Sequence, residues 1–565
     1  MRQLSVIFCW HMHQPFYREE VNQRYALPWA YLHAIKDYTD MGRILADVDG
    51  ARAVVNFVPS LTIQIADYGK RIRGWLDGKG ELPDPLLEAL VHPSGRFRKK
   101  EKTFIIDSCF RLNHERNLHR YPHYAALWHF CEQARQHQAV GYLGPSYFLD
   151  LVTWYHLAWI GETLRNEDFL VRRLIAKGRH FNLQDRRDLL SLIARLMNEI
   201  PELYRKLADQ GKIELSTTPY AHPILPLMLD FESARETVTD APLPYKPYPG
   251  GNERVREHID LAIKSHAEVF ERKADGCWPS EGAVSKESLA CMGKAGFSWT
   301  ASGEGVLHNS LGRNPRESDT IQDLYHPWTV GKGDSAINCF FRDDKLSDLI
   351  GFEYQRWHTD DAIANFMHEL AGIRHHTQGM EAPVVSVILD GENAWEYYHE
   401  NGLPFLTGLY KAIAEHPEYE LTTFSEYIGR HPRQAELPEV CAGSWVYGNL
   451  ATWIGDRDKN RAWEMLIAAK ECMDQKLAEE SLDPEQLEAA FEQLRICEGS
   501  DWFWWFGDYN PADAVQDFDR LYRQHLSRLY ELIGESIPKY LGKPISTGGG
   551  DAEISGTMRR GTSEA

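Results

Sequence analysis

The run Val384-Val385-Ser386-Val387-Ile388-Leu389-Asp390 is apolar at every position but Ser386 and ends on a carboxylate. A strand with one wet face alternates polar and apolar residues. A run that is apolar on both sides is covered on both, as in parallel sheets flanked by helices. Similar β-rich runs occur at residues 4–10, 53–58, 212–217, 276–278, 297–301 and 337–341, with 420–424 as a possible eighth. Helical stretches separate them, and strands alternating with helices pair in parallel. The C-terminal ends of the runs share a polar character: His11 and His13, Ser60, Thr217 and Thr218, Ser280 and Glu281, Ser302, Arg342 and Asp343, then Asp390. In a parallel barrel all these ends meet on one face, where the active site of such enzymes lies. The reading is an α/β barrel of seven or eight strands, with a doubly wound open sheet as the alternative. No G-x-G-x-x-G or P-loop pattern follows any run, which removes the usual reason to prefer the open sheet.

Around the barrel, residues 61–205 read as a helical insertion too long for one strand–helix connection, giving a catalytic unit over 1–430. From about 431 to 545 the chain reads as a helical domain completing the cleft. Asp483-Pro484-Glu485 supplies an N-cap followed by Pro at the first helical position, and Asn510-Pro511 repeats the device. Phe518, Leu521, Tyr522, His525, Leu526 and Leu529 then share one helical face. Residues 546–565, glycine-rich and without an apolar run, read as a disordered tail.

The net charge of −20 disfavours nucleic acid and anionic membrane as partners, and a neutral substrate fits it better. No apolar stretch is long enough for a membrane span, and the start of the chain lacks the apolar core of a secretory signal. The nine cysteines are odd in number and scattered, with no C-x-x-C pair. That argues against a disulfide framework or a zinc ribbon and for a reduced, cytoplasmic protein.

Two segments carry the chemistry. Trp278-Pro279-Ser280-Glu281 and Asp390-Gly391-Glu392-Asn393-Ala394-Trp395-Glu396 each end an apolar run with a carboxylate near a Trp. Glycosidic cleavage needs two carboxyl groups flanking one bond, one to protonate the leaving oxygen and one to attack carbon or activate water. Glu392, close to Asp390, is expected to disfavour its ionisation, as a general acid requires. A single carboxylate at a strand end is more commonly a helix cap or a surface ion pair; two such sites, each with its Trp, outweigh that reading.

His13-Gln14-Pro15, Gly211-Lys212-Ile213-Glu214-Leu215, Trp278-Pro279-Ser280-Glu281 and Asp390-Gly391-Glu392 occur in the order and spacing of glycoside hydrolase family 57, which the chain therefore resembles. The stretch from Ala451-Thr452-Trp453 to Arg461-Ala462-Trp463 looks like that family's fifth region. The resemblance implies an incomplete (β/α)7 barrel followed by helices, acting on α-glucans with retention and without a cofactor. It places Glu281 on the nucleophile and Asp390 on the general acid/base. Among its members the chain looks most similar to the amylopullulanase type, which cuts α-1,4 and sometimes α-1,6 links, while 4-α-glucanotransferases and branching enzymes share the same motifs.

His11 and His13 alternate along one strand and so point to one face, which leaves two readings open. They either contact sugar, which the resemblance favours, or bind metal in a hydrolase or deacetylase of another class; no downstream ligand set completes the second. His222 is a candidate for substrate hydroxyls, and Glu214 either orients its loop or forms a buried pair with an Arg. Arg342 and Glu392 are candidates beside the carboxylates. Trp278, Trp357, Trp395 and Trp453 are candidate walls for sugar rings. The run 501–506, beginning with Asp501 and Trp502, is either core or a wall of the cleft. Asp456-Arg457-Asp458 imitates the start of a calcium loop, but Arg461 and Ile467 occupy the positions of its Gly and bidentate Glu.

Overall fold

The computed structural model describes residues 3–19, 22–314, 316–317 and 320–550. Seven strands form the ring that the sequence implies: β1 (Leu4–Met12), β2 (Ala53–Phe57), β3 (Ile213–Thr217), β4 (Gly276–Cys277), β5 (Trp299–Ser302), β6 (Ile337–Phe341) and β7 (Val384–Asp390). They lie in the order β7-β1-β2-β3-β4-β5-β6, each parallel to its neighbour. The seam between β6 and β7 carries a bridge at Arg342 and Ser386, with the Asp343 amide donating to Ser386 O at 2.8 Å and Arg342 Nε donating to Ile388 O at 2.7 Å. This is an incomplete (β/α)7 barrel. The eighth expected strand, β8 (Tyr419–Leu421), stays outside the ring. It pairs with Leu4–Val6 of β1, on the flank that β2 covers only from Cys9 onward. Four short strands escaped sequence reading, Trp328–Val330, Ala435–Glu436 and the hairpin pair Arg18–Glu19 and Arg24–Tyr25, because two or three residues carry no periodicity.

Register explains the location of polar groups. His11 lies opposite Asn56 on one side and Asp390 on the other, and Asn56 lies opposite Ser216. In parallel strands residues in register point the same way, so these four form one polar layer inside the barrel's C-terminal mouth. Below them Ile7, Cys9, Val54, Ala301, Phe340 and Ile388 fill an apolar interior, plugged by Phe424 and Tyr427. The alternate residues, among them Phe8, Trp10, Val55 and Val387, face outward onto the helices. Position 276 of β4 is glycine because it lies against the Trp299 indole, where a Cβ would sit 1.8 Å from a ring carbon.

Between β2 and β3 the chain forms helices from Pro59–Leu76 to Leu183–Asp209. After β8 comes the helix Phe424–Arg430, and from residue 431 the chain is not helical as expected: helices resume only at Arg457, and 431–456 holds the short strand Ala435–Glu436 and irregular segments that bring Trp445 and Val446 to the cavity. Asp483 caps Pro484–Cys497 through a capping box with Gln486. Asn510 does not cap the next helix, Ala512–Leu532; its amide instead donates to Trp504 O and Trp505 O. Asp456 caps Arg457–Ala478, which accounts for its calcium-like spacing. Residues 546–550 pack on this region, with the amides of Gly549 and Gly550 donating to Asn510 O. The remainder of the expected tail, 551–565, lies outside the described residues. All nine cysteines are unpaired. Among the described residues no helix is long and apolar enough to cross a membrane.

Candidate active site

A cavity of about 410 Å³ opens at the barrel mouth, and Glu281 and Asp390 both line it. Glu281 follows β4 with a left-handed backbone, φ 58° and ψ 23°, unusual for a residue with a side chain. Ser302 Oγ donates to Gly282 O at 2.6 Å, and the amide of Trp445 donates to Glu281 O at 3.1 Å. The indole N–H of the same Trp445 donates to Glu281 Oε2 at 3.0 Å. Trp445 in turn packs edge-on against Trp278 and carries the Arg342 guanidinium 5.5 Å from its ring centre.

Asp390 is the last residue of β7. Gly391 follows because a Cβ there would lie 2.2 Å from Met12 Sδ. Asn393, strained at φ 61°, donates to Asp390 Oδ2 at 3.2 Å. Burial raises the Asp390 carboxyl from its usual range to about 6, against the opposing pull of the Asn393 hydrogen bond, His13 and Arg342. Glu392, expected to raise Asp390, is not a cause of that shift. The repulsion falls on Glu392, which burial first and Asp390 second push well above the carboxylate range.

Between the two acids lies a stack of imidazoles. His11 Nδ1 meets Asn56 Oδ1 at 2.7 Å, and His11 Nε2 meets His222 Nε2 at 3.2 Å. His222 Nδ1 meets Ser500 Oγ at 2.7 Å and stands 4.0 Å from Glu281 Oε1. One proton order satisfies all of these contacts: Ser500 O–H donates to His222, His222 Nε2–H to His11, and His11 Nδ1–H to Asn56. Burial keeps both rings neutral, holding His11 down at about 3 and His222 well below its usual value. His13 stacks on His222 at 3.8 Å and 17° and meets Asp501 Oδ1 through Nε2 at 2.8 Å.

His13, His222 and Asp501 are the one group of potential metal ligands among the described residues, their donor atoms lying within 4.8 Å of one another. A ring nitrogen binds metal along a lone pair in its ring plane. The His13 and His222 rings are within 17° of parallel with centres 3.8 Å apart, so their in-plane lone pairs do not converge, and both nitrogens of His222 are engaged in the chain above. The arrangement fits a hydrogen-bonded stack and not a shared ion.

The other expected site residues divide. His11, His13, Arg342, Glu392 and Asp501 line the cavity, and His222 lies just behind it. Glu214 does not belong to the site. It sits near the start of β3, at the barrel's other end, where it accepts from Ser425 Oγ at 2.6 Å and Trp299 Nε1 at 2.5 Å; its partners are neutral and not an Arg. Trp278, Trp395, Trp453 and Trp502 are buried and are no sugar walls. Trp395 packs on Trp10 and donates to Gly391 O at 2.9 Å, bracing the Asp390 turn. Trp453 accepts the Trp463 indole on its carbonyl, and Trp502 donates to Ile496 O. Trp357 is 44% exposed and does not line the cavity. The tryptophans that line the cavity are Trp445, Trp504, Trp505, Trp29 and the buried Trp159; of these only Trp504 and Trp505 belong to a segment that the sequence offered as a possible wall. Trp504 and Trp505 stood in the run already noted, but periodicity cannot say which members of a short aromatic run face outward. Trp29 and Trp159 come from helical segments whose docking no local pattern discloses.

The sequence signature of glycosyl hydrolase family 57 matches residues 7–438. No curated protein matches the sequence. Among solved structures the fold is similar to a GH57-type branching enzyme from the hyperthermophilic archaeon Pyrococcus horikoshii, with TM-score 0.59 and 14% identity over 94% of this chain and 90% of that one. It is also similar to the α-amylase AmyC from Thermotoga maritima, with TM-score 0.57 and 13% identity over 94% and 93%. A third likeness is to a 4-α-glucanotransferase from Thermococcus litoralis, with TM-score 0.52 and 13% identity over 94% of this chain and 60% of that one. With the signature covering most of the chain and its fold shared by all three structures, the protein belongs to glycosyl hydrolase family 57.

Proposed function

We propose that the protein cleaves α-1,4 links of an α-glucan through a covalent glycosyl-enzyme, with Glu281 as nucleophile and Asp390 as general acid and then base. The observation that carries this reading is that the two carboxyls line one cavity in different surroundings, Glu281 held by an indole N–H and Asp390 raised by burial. Glu281 accepts the Trp445 indole N–H, which aims one oxygen and stabilises its charge. Asp390, raised by burial to about 6, retains a proton near neutrality and can give it to the departing oxygen. In the first step Glu281 attacks the anomeric carbon, the glycosidic bond breaks, and the Asp390 proton goes to the leaving oxygen. In the second, Asp390 takes a proton from the incoming hydroxyl, whose oxygen displaces Glu281. His13 and Arg342 line the cavity beside the two carboxyls, held in place by Asp501 and by Asp344 and Asp348, and the Trp walls stack against the sugar's C–H faces.

The acceptor in the second step is water in a hydrolase and a sugar hydroxyl in a transferase. The crowding of Trp445, Trp504 and Trp505 on one cavity favours the sugar, since aromatic faces bind a second glucan and displace water. The test is product analysis on a linear α-1,4 glucan. New reducing ends in step with substrate loss denote hydrolysis; redistributed chain lengths or new branch points without them denote transfer. No change in the glucan under either assay overturns the substrate.

A further inference from the structure

Glu392 sits two residues beyond Asp390 and is buried, 2% exposed. Its Oε1 accepts the His13 amide at 3.2 Å and Gln14 Nε2 at 3.3 Å, both long bonds from neutral donors. Its Oε2 is buried with no partner among the described residues. The cations nearby are committed elsewhere. Lys36 bonds Asp37 at 2.5 Å and lies over the Trp159 ring, and Arg342 bonds Asp344 and Asp348 at 2.6 and 2.7 Å. The His13 imidazole bonds Asp501. The ionisable groups that act on Glu392 are acidic, Asp390 from β7 and Asp37 from the turn at Ala34–Tyr38, and the phenols of Tyr17 and Tyr38 lie within its field. A buried carboxylate there would face like charges with no counter-ion, a costly arrangement that a proton relieves.

We infer that Glu392 is a neutral carboxylic acid carrying its proton on Oε2, a positioning residue that fixes the β1 loop while leaving Asp390 as the one titrating acid of the pair. This rests on the reading of Asp390 as general acid/base. The consequence for catalysis is electrostatic. An ionised Glu392 would hold the proton on Asp390 and block its second role, as base. A neutral one binds the His13–Gln14 segment without adding charge.

Infrared difference spectroscopy of the full-length protein, wild type against Glu392→Gln, above the Asp390 midpoint, reads the protonation state directly. The expected result is a carboxylic-acid carbonyl band present in wild type and lost in the variant; a carboxylate band lost instead overturns the proposal. Kinetics give a second readout. Glu392→Gln, which keeps the acceptor oxygen and replaces the O–H by N–H, should lose no more than about tenfold in kcat/KM and keep the alkaline limb of kcat in place, whereas Glu392→Leu loses about a hundredfold or more. A limb shifted downward by about one pH unit in a folded Glu392→Gln variant shows that a charge was removed and sinks the inference. Failure of the underlying reading looks different: Asp390→Asn would leave the limb of the wild type untouched.

Discussion

At the scale of single residues, the two carboxyls differ because their surroundings differ. Glu281→Gln cannot form the covalent intermediate, so turnover on an α-glucan should fall to below about a tenth of wild type, and in practice by orders of magnitude, with the fold unchanged by circular dichroism. Retention of a tenth removes Glu281 from its role. Asp390→Ala should lose polysaccharide cleavage far more than the glycosylation step on a substrate whose leaving group needs no proton. Azide should then restore part of the turnover and yield the α-glycosyl azide, because attack on a β-linked intermediate returns the α configuration. A β-glycosyl azide would mean that the two roles are reversed. The pH dependence follows from the same shift. A general acid works while protonated, and burial has moved Asp390 from the usual range up to about 6, so kcat should hold below that value and decline above it. A flat profile from pH 5 to 8 contradicts the assignment. The signal for both carboxylates was legible in sequence as acids at the ends of apolar runs. Trp445 was not: its link to Glu281 spans 164 positions, and nothing local distinguishes it from a core Trp.

At the scale of elements, one buried ion cluster ties the barrel helix Gly251–Phe270 to Pro484–Cys497 and the segment that follows it. Glu498, fully buried, accepts Arg254 Nε at 2.7 Å and Nη2 at 2.6 Å, meets His258 Nε2 at 2.7 Å and accepts the Tyr248 hydroxyl at 2.5 Å. Burial opposes its ionisation, but Arg254 first and His258 next hold the carboxyl far below the usual range. A depressed folded value means stability that is present above the unfolded value, about 4.3, and lost as pH falls toward the folded one. Glu498→Gln leaves Arg254 and His258 without their shared anion and should cost about 3–5 kcal/mol, read as a lower urea midpoint. An unchanged midpoint would show that Glu257, which also pairs with Arg254, carries the load. Both helices were legible as helices, but their pairing was not, since the bond partners lie 244 positions apart.

At the scale of the whole molecule, we propose that the barrel and the helices after it form one working unit. Trp445 reaches Glu281, Ser500 reaches His222 and Asp501 reaches His13 from beyond residue 430, while Trp504 and Trp505 complete the cavity wall. Ending the chain at 430 removes all of these and uncovers the apolar surface beneath, so the fragment should be insoluble or inactive by size exclusion and glucan assay. A soluble, fully active fragment would make the helices an accessory. The sequence by itself determined what local chemistry encodes: doubly apolar strands alternating with helices, hence a parallel barrel; carboxylates at strand ends, hence both at one mouth of the barrel; and helix starts such as Asp483-Pro484. Only the tertiary structure decided which aromatics face the cavity, that β8 lies outside the ring, and that Glu214 serves the barrel's far end. The reason is physical. Period and capping depend on neighbours within a few residues, whereas whether a Trp is wall or core depends on which distant segment packs over it.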